Sequence, residues 1–230
     1  MDPIQIISLT LGAAWASGIN LYAVVLVLGY LGMTGNIFLP PELQILTNPL
    51  VLGAAALMYA IEFFADKVPG VDTGWDLVHT FIRIPAGAAL AAGMAQGLDI
   101  SQGAEFAALL VGGSVAAVSH TAKTGSRMLI NTSPEPVTNW SASIAEDIAV
   151  VGGLWASLQY PWAFVIALTI FLLLVAWLLP KIWRALKHTF SAIISFFKGK
   201  HTPDTEMSNP SDNKVDILRA LYQDSAEKEK

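Results

Sequence analysis

Cysteine is absent from the 230 residues, which excludes disulfide staples, thiolate metal sites and a cysteine nucleophile. Charge is also scarce. Only 13% of the residues are charged, against about 25% in an ordinary soluble domain. The shortage lies in the first 180 residues, which hold 15 charged side chains (11 acidic, 4 basic), while the last 50 hold 16. Fifteen charges cannot cover the surface of a soluble body of that size, so the body is built for lipid. A basic field is missing as well, and with a pI near 5.3 the chain is not a nucleic-acid binder. No G-x-S-x-G, H-E-x-x-H, P-loop or dinucleotide motif occurs, so no enzyme signature is present and no cofactor is implied. The start lacks the basic region of a secretory signal. Met1-Asp2-Pro3 leads into an apolar stretch that runs to Leu31, which reads as a retained membrane helix.

What is present is hydrophobic length, 54% of the chain. A bilayer core of about 30 Å needs roughly 20 mostly apolar helical residues. Six segments fit: 5–30, 49–66, 76–98, 104–122, 141–160 and 162–180. Pro40-Pro41, Pro69-Gly70, Pro134-Glu135-Pro136 and Pro161 punctuate the loops. The expected fold is an all-α polytopic bundle over 1–180, followed by a basic amphipathic helix over 181–200. A polar tail with disorder-prone composition covers 201–230. Segment 181–200 carries +5 and 201–230 carries −3, a pattern that points to anionic lipid at a membrane surface and leaves the tail to recruit a partner. With the N-terminus inside, six crossings put all 13 basic residues on or next to the cytoplasmic side. This predicts a bacterial inner-membrane protein with both termini cytoplasmic.

Three crossings per half would make the halves inverted repeats. Leu11-Gly12-Ala13-Ala14-Trp15-Ala16 echoes Val111-Gly112-Gly113-Ser114-Val115-Ala116, although small residues recur in any membrane helix. The same small residues, with Gly93-x-x-x-Gly97, predict close helix contacts and are compatible with a homo-oligomer. In mid-helix, Ser17-Gly18-Ile19-Asn20 can interrupt the helix and expose carbonyls, or Asn20 can simply make an interhelical hydrogen bond.

Charges inside a membrane body are costly and therefore informative. Ten of the fifteen fall in clusters on one predicted side. Glu62 and Asp66 are four apart and share a helix face, with Lys67 beside them. Asp72, Asp76, His79 and Arg83 form a stripe on the next helix. His120, Lys123 and Arg127 form another, and Glu146 and Asp147 re-enter after a Pro-rich loop. Ser143-x-x-Glu146 and Thr73-x-x-Asp76 also fit capping boxes. Glu62 does not, because a helix C-terminus disfavours an anion. Six acids (Glu62, Asp66, Asp72, Asp76, Glu146, Asp147) face four bases (Lys67, Arg83, Lys123, Arg127) and two histidines. Three readings follow: a structural ion-pair network, a proton or cation site in which the bases are counter-charges, or a headgroup pocket in which they hold phosphate. The identity of any metal is left open by these residues. A lipid-acting enzyme using Glu62 or His120 as base is a weaker fourth.

Glu62-x-x-x-Asp66-Lys67-x-Pro69-Gly70-x-Asp72-x-x-x-Asp76-x-x-His79-x-x-x-Arg83 and His120-x-x-Lys123-x-x-x-Arg127, followed by Asn131-x-Ser133-Pro134 and Ser143-x-x-Glu146-Asp147, resemble a family of small bacterial multi-pass membrane proteins known only as a domain of unknown function. The resemblance covers about residues 5–180. It implies a membrane bundle and carries no activity. The expectation drawn from the residues is a small transporter or channel-like protein for an ion or small polar solute, with a lipid-binding or scaffold protein as the alternative.

Overall fold

The computed structural model describes residues 2–68, 70–131 and 136–197, with side chains as far as Lys181 except Thr73, Pro136 and Leu179. The described residues are helical with no strand: α1 Pro3–Met33, α2 Pro49–Ala65, α3 Val71–Ala95, α4 Gln102–Ile130, α5 Pro136–Gln159 and α6 Pro161–Phe197. A 3-10 segment, Pro41–Thr47, precedes α2. Proline opens α1, α2, α5 and α6, where its missing N–H costs nothing. Asn48 caps α2 by accepting from Leu50 N at 2.9 Å. The six helices coincide with the six apolar segments read from the sequence. The side chains of 182–200 and the whole of 201–230, where an interfacial helix and polar tail were expected, lie outside the described residues, as do 132–135.

Among the described residues, four helical stretches are long and apolar enough to cross a membrane: Pro3–Met33, Gly74–Leu98, Gln102–Ile130 and Pro161–Leu178. A fifth arises if Pro41–Thr47 and Pro49–Ala65, bent by 65°, form one span. Helix α5, which carries Glu146 and Asp147, is not among them. Asn139, Ser143 and Ser157 of this helix are buried against the bundle.

The first helix departs from expectation. Asn20 breaks it with non-helical backbone angles (φ −147°, ψ 95°). Its two ends then line a single cavity of about 560 Å³, Gln5 from one arm with Val27, Tyr30 and Leu31 from the other. In a straight helix Gln5 and Tyr30 would stand about 37 Å apart at 1.5 Å per residue. The contacts with α5 trace the path. Ser8 Oγ donates to the carbonyl of Pro161, Gly12 lies against Ser157, Trp15 against Gly153, and Asn20 reaches Asp147. The chain then returns, so that Gly29 meets Leu46 and Gly32 meets Leu39. Helix α1 is therefore a helical hairpin with Asn20 at its tip, where a continuous helix over 5–30 was expected. Asn20 Oδ1 accepts from Ala23 N at 3.0 Å and so caps the returning arm. Residue 3 lies at the same end of the bundle as Met33, whereas Phe171 of α6 has advanced along the first arm to Trp15, towards the tip. The start of the chain and the far end of α6 at Leu178 thus lie at opposite ends.

Glycine permits the core crossing. A Cβ on Gly18 would run into the Ala116 carbonyl and Ser119 Oγ of α4, and one on Gly87 of α3 would strike Ser17 Oγ of α1. Of the pair Gly93 and Gly97, expected to mark a close helix contact, Gly93 faces Leu43 of the 3-10 segment and Gly97 faces Pro40 and, from α1, Ile6. The expected equivalence of α1 and α4 is not matched in shape, because α4 runs unbroken through His120.

Candidate functional site

The hairpin tip comes down where α2, α3, α4 and α5 converge, and every clustered charge of the sequence is there or beside it. Helical spacing puts Glu62 and Asp66 on the inner face of α2, Asp76 and Arg83 on that of α3, and His120, Lys123 and Arg127 on that of α4. All seven are buried. Glu146 of α5 is half-buried at the edge.

Arg83 bridges α3 to α2, with Nη2 2.7 Å from Glu62 Oε1 and Nη1 2.9 Å from Asp76 Oδ1. Arg127 makes a bidentate pair with Glu146, Nη2 to Oε2 at 2.7 Å and Nε to Oε1 at 3.1 Å. It also donates to the carbonyls of Asp66 (3.1 Å) and Asn139 (3.2 Å). Lys123 is the hub. Its Nζ lies 3.0 Å from Asp66 Oδ2, 3.3 Å from Glu62 Oε1, 3.5 Å from Glu146 Oε2 and 3.7 Å from Asp76 Oδ1. The helix break supplies a further acceptor. Freed from its helical partner, the Ile19 carbonyl accepts from Lys123 Nζ at 3.1 Å, and the Gly18 carbonyl accepts from His120 Nδ1 at 3.2 Å.

Both histidines are satisfied. His79 Nδ1 donates to the Trp75 carbonyl at 2.8 Å, which assigns Nε2 as acceptor for Tyr22 OH at 3.0 Å. His120 Nε2 meets Thr80 Oγ1 at 2.7 Å. Asp72 accepts from the Asn131 amide at 3.0 Å and Gly70 N at 2.9 Å, tying the α2–α3 turn to the end of α4. Asp147 is different from the other acids. It accepts from Asn20 Nδ2 at 3.1 Å and lies near Tyr59, and among the described residues no cation comes within ion-pair distance of it. Lys67 makes no ion pair among the described residues either. It donates to the Phe63 carbonyl at 2.9 Å and to Ser143 Oγ at 3.4 Å, over the Phe63 ring. Burial pulls it below the usual lysine value, against the opposing pull of Asp147 and Asp66.

Two capping readings are corrected. Helix α5 begins at Pro136 and α3 at Val71, so Ser143 lies two turns inside its helix and Thr73 inside the first turn of its own. Glu146 and Asp76 face arginines instead. Tyr22 and Tyr59 were missed in the sequence. Tyr59 was detectable, three residues before Glu62 and so on the same face, whereas the Gly18 and Ile19 carbonyls have no side-chain signature.

The ion-paired set holds four acids (Glu62, Asp66, Asp76, Glu146) against three cations (Arg83, Lys123, Arg127). Three buried carboxylate oxygens, Glu62 Oε2, Asp66 Oδ1 and Asp76 Oδ2, have no hydrogen-bond partner among the described residues, and neither has Arg83 Nε. Unpaired buried negative charge is expensive, and this set carries one acid more than its cations match. Among the described residues no three His, Asp or Glu side chains adopt a metal-holding arrangement.

No curated protein and no solved structure matches the chain. A family model matches residues 7–181, a stretch that contains all six acids and all four bases of the cluster. The chain thus belongs to the family described as Domain of unknown function (DUF4126).

Proposed function

We propose that this chain is an integral membrane protein that moves an ion or small polar solute, with the buried acid-rich set of α2–α5 as its proton or cation site. One observation carries the reading: acids outnumber cations in a site closed by a broken, re-entrant helix. Interrupted helices whose freed carbonyls line a site are a recurring transporter device. Glu62 and Asp66 hold the proton or cation, with Asp76, Glu146 and Asp147 around them. Arg83, Lys123 and Arg127 are the counter-charges, and His79, His120, Asp72 and Lys67 brace the surrounding helices. A headgroup role for the basic residues has less support, since Arg83, Lys123 and Arg127 are buried against carboxylates.

The bundle end that holds Lys67, Lys123 and Arg127 is the cytoplasmic end under the positive-inside rule. On this reading the hairpin leaves the N-terminus on the other side, whereas the sequence alone predicts both termini inside. The bilayer and its anionic lipids are the expected partners. In proteoliposomes, Glu62→Gln abolishes pH- or ion-driven uptake of the tracer cations 22Na and 86Rb. Wild-type flux of both equal to that of empty liposomes, or flux unchanged by Glu62→Gln, sinks this reading.

A further inference from the structure

Lys67 is a buried cation that its own chain does not pair with an acid. It is 7% exposed, and among the described residues no carboxylate comes within ion-pair distance of its ammonium. Arg83, Lys123 and Arg127, by contrast, each face two acids or more. Asp147 and Asp66 attract Lys67 from farther off, and Arg127 repels it. Both acids are engaged elsewhere, Asp66 with Lys123 and Arg127, and Asp147 with Asn20. A buried ammonium without a close counter-ion is costly, which makes its surroundings favourable to an anion.

The neighbours of the ammonium add further donors. Phe63 and Lys67 stand one turn apart at the end of α2, so Nζ donates to the Phe63 carbonyl at 2.9 Å and lies over the Phe63 ring. Trp140 and Ser143 share a face of α5. The Trp140 ring lies 5.4 Å from the ammonium, and Ser143 accepts from it at 3.4 Å, which is long for an N–H···O bond. Ser143 is 2% exposed, and neither its O–H nor the Trp140 indole N–H donates to an acceptor among the described residues. Three donor groups from two helices therefore meet at one seam. Beside it, Phe64 and Val68 on the α2 side and Val137 and Ile144 on the α5 side are exposed apolar residues, a rim suited to acyl chains.

From these contacts we infer that the seam between the end of α2 and the first turns of α5 holds the phosphate of an anionic phospholipid. Lys67 is its counter-charge, Ser143 and Trp140 are hydrogen-bond donors, and the acyl chains lie against the apolar rim. Basic pockets between membrane helices at the cytoplasmic surface are where acidic headgroups bind, and tryptophan is the residue of that interface. A lysine that only snorkels extends its head into water. This one is turned inward, between Phe63 and Trp140. A lipid held here is independent of whether ions move through the bundle.

Segment 181–200 also carries net positive charge and attracts anionic lipid, so the informative readout is the difference that Lys67 makes. The full-length chain in neutral detergent is given equal amounts of dioleoylphosphatidylglycerol and dioleoylphosphatidylcholine, and bound lipid is counted by native mass spectrometry. The ratio of bound phosphatidylglycerol to phosphatidylcholine should be about fivefold higher for the wild type than for Lys67→Gln, the value of one lysine near an anionic surface. Should Lys67→Gln fail to fold, Ser143→Asp keeps the ammonium and gives it a carboxylate of the chain's own. That variant should lose the preference to the same extent. A wild-type ratio near one, or a ratio undiminished in whichever variant folds, overturns the inference. Inorganic phosphate alone should leave the melting temperature where chloride of equal ionic strength leaves it. A rise with millimolar phosphate in the wild type that Lys67→Gln or Ser143→Asp abolishes would assign the seam to a free anion and overturn the lipid assignment.

Discussion

Arg127 offers the sharpest energetic test of the buried network. Its guanidinium has no exposed surface and holds both oxygens of Glu146, the carbonyls of Asp66 and Asn139, and Asn139 Oδ1. Replacing it with leucine leaves Glu146 with only Lys123 at 3.5 Å and leaves two carbonyls without their donor. Breaking a buried pair by removing one partner costs about 3–5 kcal/mol, because the remaining charge stays buried. Arg127→Leu is therefore expected to destabilise by that amount. Arg127→Lys should recover only part of it, since a single ammonium cannot reproduce a fork aimed at one carboxylate and two carbonyls. Arg127→Leu combined with Glu146→Leu should cost at least about 2 kcal/mol less than the sum of the single changes, because the orphaned anion is gone. Reversible unfolding in detergent micelles, run as a double-mutant cycle, measures these terms. Additivity within about 0.5 kcal/mol, or a loss under about 1 kcal/mol for Arg127→Leu, would refute the reasoning.

Two further outcomes follow from particular atoms. Gly18→Ala should destabilise by about 1–3 kcal/mol, since the new methyl meets the Ala116 carbonyl, which is backbone and cannot step aside. Gly152→Ala, with nothing within 4 Å, should stay within about 0.5 kcal/mol, and unfolding of the two variants side by side checks the pair. Lys67, whose folded value lies below its ordinary 10.5, binds fewer protons folded than unfolded just below that value. Stability there should rise with pH, and Lys67→Met should remove that component of the rise in matched melts at several pH values. An unchanged slope would show that Lys67 is not perturbed.

Much of this site was legible because few residues write it. In a chain with so little charge, the i, i+4 spacings of Glu62/Asp66, His79/Arg83 and Lys123/Arg127 put each pair on one helix face before any packing is known. Apolar length and proline punctuation were sufficient to place six helices. The hairpin was not legible in that way. Hydropathy averages over α1 and registers one apolar helix of 31 residues, but folding back is decided by one residue's φ and ψ at Asn20, and by what Lys123, His120 and Asp147 offer the freed polar groups. Ser17-Gly18-Ile19-Asn20 signalled an interruption and its carbonyls. It held no information on the direction the chain takes afterwards. The capping readings of Ser143 and Thr73 failed for a related reason: local motifs cannot see that α5 starts two turns earlier at Pro136 and α3 two residues earlier at Val71, or that an arginine claims the acid. The neighbours of Asp147 needed tertiary structure, because Tyr59, Asn20 and Asp147 come from three helices.

Simultaneous recording of cation entry and internal pH in proteoliposomes bears most directly on the claim that the acid-rich set is a working ion site. With an inward alkali-cation gradient, wild-type vesicles should take up the cation while their lumen becomes alkaline, and Glu62→Gln vesicles should do neither. A lumen pH and cation content that follow those of protein-free vesicles, in wild type and variant alike, would contradict the account.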